Sequence, residues 1–171
     1  KLEVTASHFQ SKWDASGQIP QRAVDAGIIG RFGAIDDTEG GNTRRTNVLV
    51  NHEKQLDGTK KWTSSAYYTY YDFELFSNFT FFLEDPVNGD QIAQRENRNI
   101  LGFQTALSES LALGSTDFQY RAGMGVRYDD VNDIELSNTR NRYEILERRA
   151  FGNVNQINAF AYLNTEFDWG Q

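Results

Sequence analysis

The chain has 171 residues, room for one ordinary domain and a sizeable core. Only 39% of it is hydrophobic, the mean hydropathy is -0.63, and 17 basic against 24 acidic side chains give a formal charge of -7. That balance argues against a general nucleic-acid binder, and the absence of cysteine excludes disulfide scaffolds, thiolate zinc sites and cysteine nucleophiles.

The chain opens inside an alternating pattern, Leu2, Val4, Ala6, which points to a mature or excised piece. No apolar run of about 18 residues appears, so no transmembrane helix is expected. The first predicted strand covers roughly 1–13. A long polar link follows over about 17–42, then a second strand over roughly 43–56. Asp57-Gly58 predicts a tight hairpin turn. The third strand, 62–82, is dense in Tyr, Phe and Thr, as a pleated surface favours.

A second long link carries Pro86 and Asn88-Gly89, both turn formers. The fourth strand, 100–113, places Leu101, Phe103, Thr105 and Leu107 on one face and ends in the turn around Ser115. The fifth, FQYRAGMGVRYDD, runs over 118–130. Its even positions, Phe118 to Tyr128, are apolar without a break, and its odd positions are charged, polar or glycine. A third long link is expected over about 131–153. Within it TRNRYEILERRA fits a helix through Glu144 and Arg148, while Tyr143, Ile145 and Leu146 fit a strand equally well. The sixth strand sets Ile157, Ala159, Ala161, Leu163, Thr165, Phe167 and Trp169 on one face.

The fold class that follows is all-β: an antiparallel up-and-down meander of about six long strands, forming part of a large transmembrane β-barrel. Links alternate long and short, so short turns gather at one end and long links at the other, the rule in outer-membrane barrels. Phe118 to Tyr128 has the length of about 9–11 residues that a tilted membrane strand needs. Its rings, with Trp62 and Trp169 near the short-turn end, fit aromatic girdles. Arg121, Arg127 and Asp129 then face a wet lumen. A soluble small-molecule-binding barrel of lipocalin type is the alternative, its apolar face meeting its own core.

Two blocks say more. SGQIPQRAVDAGIIGRFGAIDDTEGGNTRRTNV (16–48) and LFSNFTFFLEDPVNGDQIAQRENR (75–98) resemble the barrel region of TonB-dependent outer-membrane receptors. The resemblance implies a 22-stranded barrel around an N-terminal plug. It also implies uptake of a scarce nutrient, a siderophore, cobalamin, glycan or similar, across the bacterial outer membrane. The partners implied are the remainder of the barrel, the plug, and the TonB complex. Residues 1–171 then form a partial barrel domain with no plug, whose two unpaired edges must meet further strands.

No catalytic constellation shows: there is no GxSxG-like elbow, and an enzyme, such as a lipase or protease in a barrel, ranks last. No cofactor is expected. Gly123-Met124-Gly125 sits mid-strand with no helix after it, so it reads as inward glycine making space in the lumen rather than a nucleotide loop; Gly123→Ser is therefore expected to be mild. His8 and His52 lie on different strands and read as solvated residues rather than a metal pair. Asp36, Asp37 and Glu39, and the DDVND run at 129–133, lack EF-hand spacing. Asn78-Phe79-Thr80 matches a glycosylation acceptor that has no force in a bacterial outer membrane. Arginines recur in or beside all three long links. The ligand-contact candidates are Arg31, Phe32, Asp36, Asp37, Arg95, Arg98 and Arg140, which could make an anion-attracting mouth; Arg142 and Phe151 lie nearby.

Overall fold

The computed structural model describes residues 1–114 and 116–169. It is a single six-stranded antiparallel sheet in the order β1-β2-β3-β4-β5-β6. The strands are β1 (Leu2–Asp14), β2 (Gly40–Gln55), β3 (Lys60–Ser77), β4 (Ile92–Leu113), β5 (Thr116–Arg140) and β6 (Glu144–Trp169). A five-residue helix, α1 (Gln21–Asp25), follows Pro20 in the first link, where none was expected. The meander is the predicted one, and the sheet grows taller along the chain, from 13 residues in β1 to 26 in β6.

The third link differs from expectation. Residues 131–153 are not a loop and not a helix: β5 and β6 continue through them to a turn at Asn141–Tyr143. Asn141 and Arg142 take left-handed backbone at φ 53 and 69 to close that turn. The strand wins over the helix because alternate residues Glu135, Ser137 and Thr139 are buried on one face, a period-two demand that a helix cannot meet. Register shifts near Asp133 and at Leu136/Ser137 absorb the extra residues as bulges. β2 and β4 likewise begin earlier than expected, at Gly40 and Ile92, and β3 stops at Ser77, leaving Asn78–Phe82 in the second link.

Register defines two faces. The row Val4–Val50–Ala66–Phe103–Val126–Ala159 crosses all six strands on one face. Met124 is 61% exposed there, and Leu2, Leu101, Ile157 and Leu163 are exposed as well. Trp62, Phe118 and Phe167 border this apolar field at the short-turn end, and Tyr68 and Tyr128 at the other. Phe118 to Tyr128 spans about 33 Å along the strand, or about 25 Å along a barrel axis at the usual tilt of about 40°. Ser115 and the Trp169 side chain, both assigned above to the short-turn end, lie outside the described residues.

The opposite face is polar, carrying Asn47, Gln104, Arg127 and Asn158. Its glycines do not make space for lumen contents. Gly102 lies under the Tyr67 ring, Gly123 under Tyr162 and Gly125 under Phe160, each facing its directly paired neighbour. An added Cβ at Gly123 would come within 2.6 Å of the far end of the Tyr162 side chain, so Gly123→Ser must turn that ring aside.

Candidate functional site

The buried residues cluster at the long-link end, where Phe76 and Ala93 supply the apolar part and Gln91, Ser137 and Thr139 the polar part. Gln91 ties three connections together. Its amide nitrogen donates to Asp36 Oδ2 (3.1 Å) and Thr38 Oγ1 (2.6 Å) in the first link. Its carbonyl oxygen accepts from Thr139 Oγ1 (3.0 Å) and from the Arg142 backbone N–H (2.9 Å) at the β5–β6 turn. Arg142 reaches back to Asp14 (2.9 Å) and to the Glu39 carbonyl (2.7 Å), and its guanidinium lies 5.6 Å over the Phe76 ring. Such contacts fix the links on the sheet end rather than leaving them free.

Asp36 is the hub on the first link. It accepts from the Thr38 N–H (2.9 Å) and hydroxyl, from Asn78 Nδ2 (2.8 Å) and from Gln91. Burial alone would raise its carboxyl, but hydrogen bonds from Asn78, Thr38 and Gln91 outweigh it and hold the group below its ordinary value. Glu39 goes the other way. It is 4% exposed, Oε1 has no hydrogen-bond partner, and burial pushes its carboxyl up, with the Asp36 charge adding to the effect. The signs differ accordingly: a lowered carboxyl stabilises the fold above its unfolded value and loses that contribution as pH falls, while a raised one stabilises only at low pH. Acidification below the ordinary Asp value of 3.8 is expected to loosen the first link. Asp36→Asn should loosen it at neutral pH as well, since the amide cannot accept from all four donors. Proteolysis of the 15–39 link as a function of pH reads both effects; equal protection of wild type and variant at pH 7 would remove Asp36 from this role.

The second link is ordered by its own acids. Asp90 accepts from the backbone N–H groups of Leu83, Glu84 and Asp85, and Asp85 from those of Val87 and Asn88. Hydrogen bonds from Asn88 hold the Asp85 carboxyl below its ordinary value. These acids are satisfied by the chain itself, and among the described residues no group of three metal-ligating side chains forms. His8 bonds Thr46 while His52 packs edge-on against Trp62 at 5.3 Å, six residues further along β2, about 20 Å away. Asp129 and Asp130 alternate across strand faces, so DDVND is no calcium loop.

The candidate residues are dispersed. Arg31 and Asp37 are exposed on the first link, and Phe32 is 95% exposed there. Asp36 is internal to the junction. Arg95 lies on the apolar face's side, above the Tyr68–Tyr128 border. There Asn42, Glu74, Arg95, Glu135 and Arg148 form one ladder, with contacts of 2.8, 2.6, 3.9 and 3.7 Å. Arg140 sits at the β5–β6 turn, bonded to Glu144 and to Asn88 (2.9 Å). Arg98 faces the polar side, donating to Glu96 at 3.0 Å, and Arg127 pairs with Asp129 there at 2.7 Å. Arg95 and Arg98 therefore point to opposite faces, and Arg95, Arg98 and Arg140 each carry a carboxylate partner. Sequence reading missed Gln91, whose neighbours make it look like a turn residue, and Arg45, whose alternation with Asn47 and Leu49 was the available signal.

Comparison with known proteins adds one finding. The structure is similar to the ferric citrate transporter FecA in its unliganded form, with a TM-score of 0.69 and 14% identity over 99% of this chain. The chain spans only 24% of that transporter. At this identity the likeness is one of fold: the meander matches a section of barrel wall. No protein-family description matches the chain, and no curated protein matches it.

Proposed function

We propose that this chain is a wall section of a large outer-membrane barrel of TonB-dependent transporter type, taking up a scarce nutrient. The observation that carries this reading is the continuous open apolar face, bordered at both ends by aromatic rings over about 25 Å. The fold likeness to a transporter wall supports it. So does the placing of both long links, β1–β2 and β3–β4, at the end opposite the tight β2–β3 and β4–β5 connections, the end where the extended β5–β6 hairpin also closes. A lipocalin-type barrel is not favoured, because there the apolar side chains would fill an interior. Under this reading residues 1–171 are one partial barrel domain of the bacterial outer membrane. Its partners are the remaining strands, an internal plug and the TonB complex, and its task is transport rather than catalysis.

Sidedness tests the proposal on whole cells. Cysteine at Asp57, in the β2–β3 turn, is expected to resist a membrane-impermeant thiol reagent. Cysteine at Tyr143, which is 92% exposed at the opposite end, should react. The chain has no native cysteine to confuse the signal. Labelling at Asp57 with none at Tyr143 would invert the topology, and labelling at both in intact cells would rule out a membrane wall.

A further inference from the structure

The polar face carries one row in which rings and guanidinium groups alternate. Phe9 on β1 pairs with Arg45 on β2, Arg45 with Tyr71 on β3, and Tyr71 with Arg98 on β4. All four side chains share the face because each pair sits directly opposite in the ladder. Neighbouring strands lie about 4.8 Å apart, so the two arginines stand about 10 Å apart with a ring between them.

Each member has spare capacity. Phe9 is 58% exposed. Tyr71 is stacked with Phe73 at 6.1 Å and 13°, giving two nearly parallel rings side by side. Arg45 is exposed and donates only Nε, to the neutral Asn47 side chain at 3.2 Å; among the described residues no carboxylate lies within ion-pair reach of it. Arg98 gives one nitrogen to Glu96, and its Nε is buried without an acceptor, so Arg98 adds charge to the row and the open donors are those of Arg45. Lower on the same face Arg127 is neutralised by Asp129 through two bonds of 2.7 Å. Three arginines and two carboxylates leave this patch with one net positive charge, centred on Arg45, in a chain that is acidic overall.

We propose that the Phe9–Arg45–Tyr71–Arg98 row binds a flat organic anion. A conjugated ring stacks on Tyr71 and Phe73, and its carboxylate or similar group accepts from the free guanidinium nitrogens of Arg45. A neutral sugar would leave the Arg45 charge unanswered, and a compact inorganic anion would leave the rings unused. This deepens the transporter reading and rests on it, because the row lines a lumen only if the polar face does.

The probe is 2-naphthoate, measured by equilibrium binding to the full-length protein in detergent. The neutral 2-naphthamide and the non-planar cyclohexanecarboxylate serve as comparators. Naphthoate should bind at least about tenfold tighter than either, a difference of about 1.4 kcal/mol. Arg45→Gln should weaken naphthoate by a similar factor and leave naphthamide unchanged, while Tyr71→Leu should weaken both. Arg148→Gln, on the opposite face, should change nothing. No binding of naphthoate to the wild type, equal binding of the amide, or an unaltered Arg45→Gln variant would each overturn the site. Cysteine labelling at Asp57 and Tyr143 tests the wall reading separately, so failure of the binding site is told apart from failure of the wall.

Discussion

Met124→Arg in the full-length protein is expected to lower stability by about 2–4 kcal/mol in lipid vesicles, the cost of a cation at mid-bilayer on a barrel's outer surface. Met124 lies near the middle of the apolar field, between Thr105 and Ala161 in the ladder. It is 61% exposed, so the cost cannot come from disturbing a packed core. Gln104→Arg is the matched control. Gln104 pairs with Gly125, one residue from Met124, at nearly the same height but on the polar face. Its arginine should cost much less, because the charge stays hydrated in the lumen. Denaturant titrations in vesicles decide it. Two equal costs would show that the faces are not divided between lipid and water.

The same contrast explains what was legible in the sequence. Between Trp62 and Tyr128 one face is apolar and the other polar, so period two is written plainly in residues such as Ala122, Met124 and Val126. Above that level the pattern changes phase: the bulge near Asp133 puts Glu135 and Ser137 on one side and Ile134 and Leu136 on the other. Glu135 and Ser137 are buried yet hydrophilic, and Arg148 stands over Glu135. With the buried side hydrophilic and the phase broken by bulges, the alternation is too short to read, and 131–153 looks like a link although β5 and β6 run through it. The junction was hidden for another reason. Gln91, Asp36 and Thr139 are far apart in sequence and of types that abound in loops, and only the fold brings them within hydrogen-bond distance. Gly123 and Gly125 were placed on the correct face, but a glycine carries no sign of the ring that covers it. The arginines were visible as residues, and what could not be read was which face each would take: Arg44 pairs with Asp72 on one side while Arg45, next to it, stands open on the other.

Glycine is replaceable where its φ is ordinary and the space above it is empty, and costly where φ is left-handed or backbone fills that space. Gly40 and Gly41 open β2 at the point where the first link joins the sheet. Gly41 lies beneath the Trp13 ring, and a Cβ there would stand 2.3 Å from the Glu74 carbonyl oxygen. Gly40 has φ +140, and its Cβ would stand 2.3 Å from the Trp13 carbonyl oxygen and 2.9 Å from Arg142. A side chain could swing aside, but these carbonyls belong to the β1–β2–β3 ladder and cannot move without breaking it. Gly41→Ala is therefore expected to cost about 2 kcal/mol or more through overpacking, and Gly40→Ala at least as much, since strain in φ adds to the clash. The damage should reach the junction, because Arg142 donates to the Glu39 carbonyl immediately before Gly40. Gly58→Ala, with nothing within 4 Å of the added Cβ, should stay within about 0.5 kcal/mol of wild type. Hydrogen exchange of the 15–39 link beside global unfolding reads both consequences. If Gly41→Ala matched Gly58→Ala in stability and left the link fully protected, the close approach of β1, β2 and β3 at this corner would be wrong.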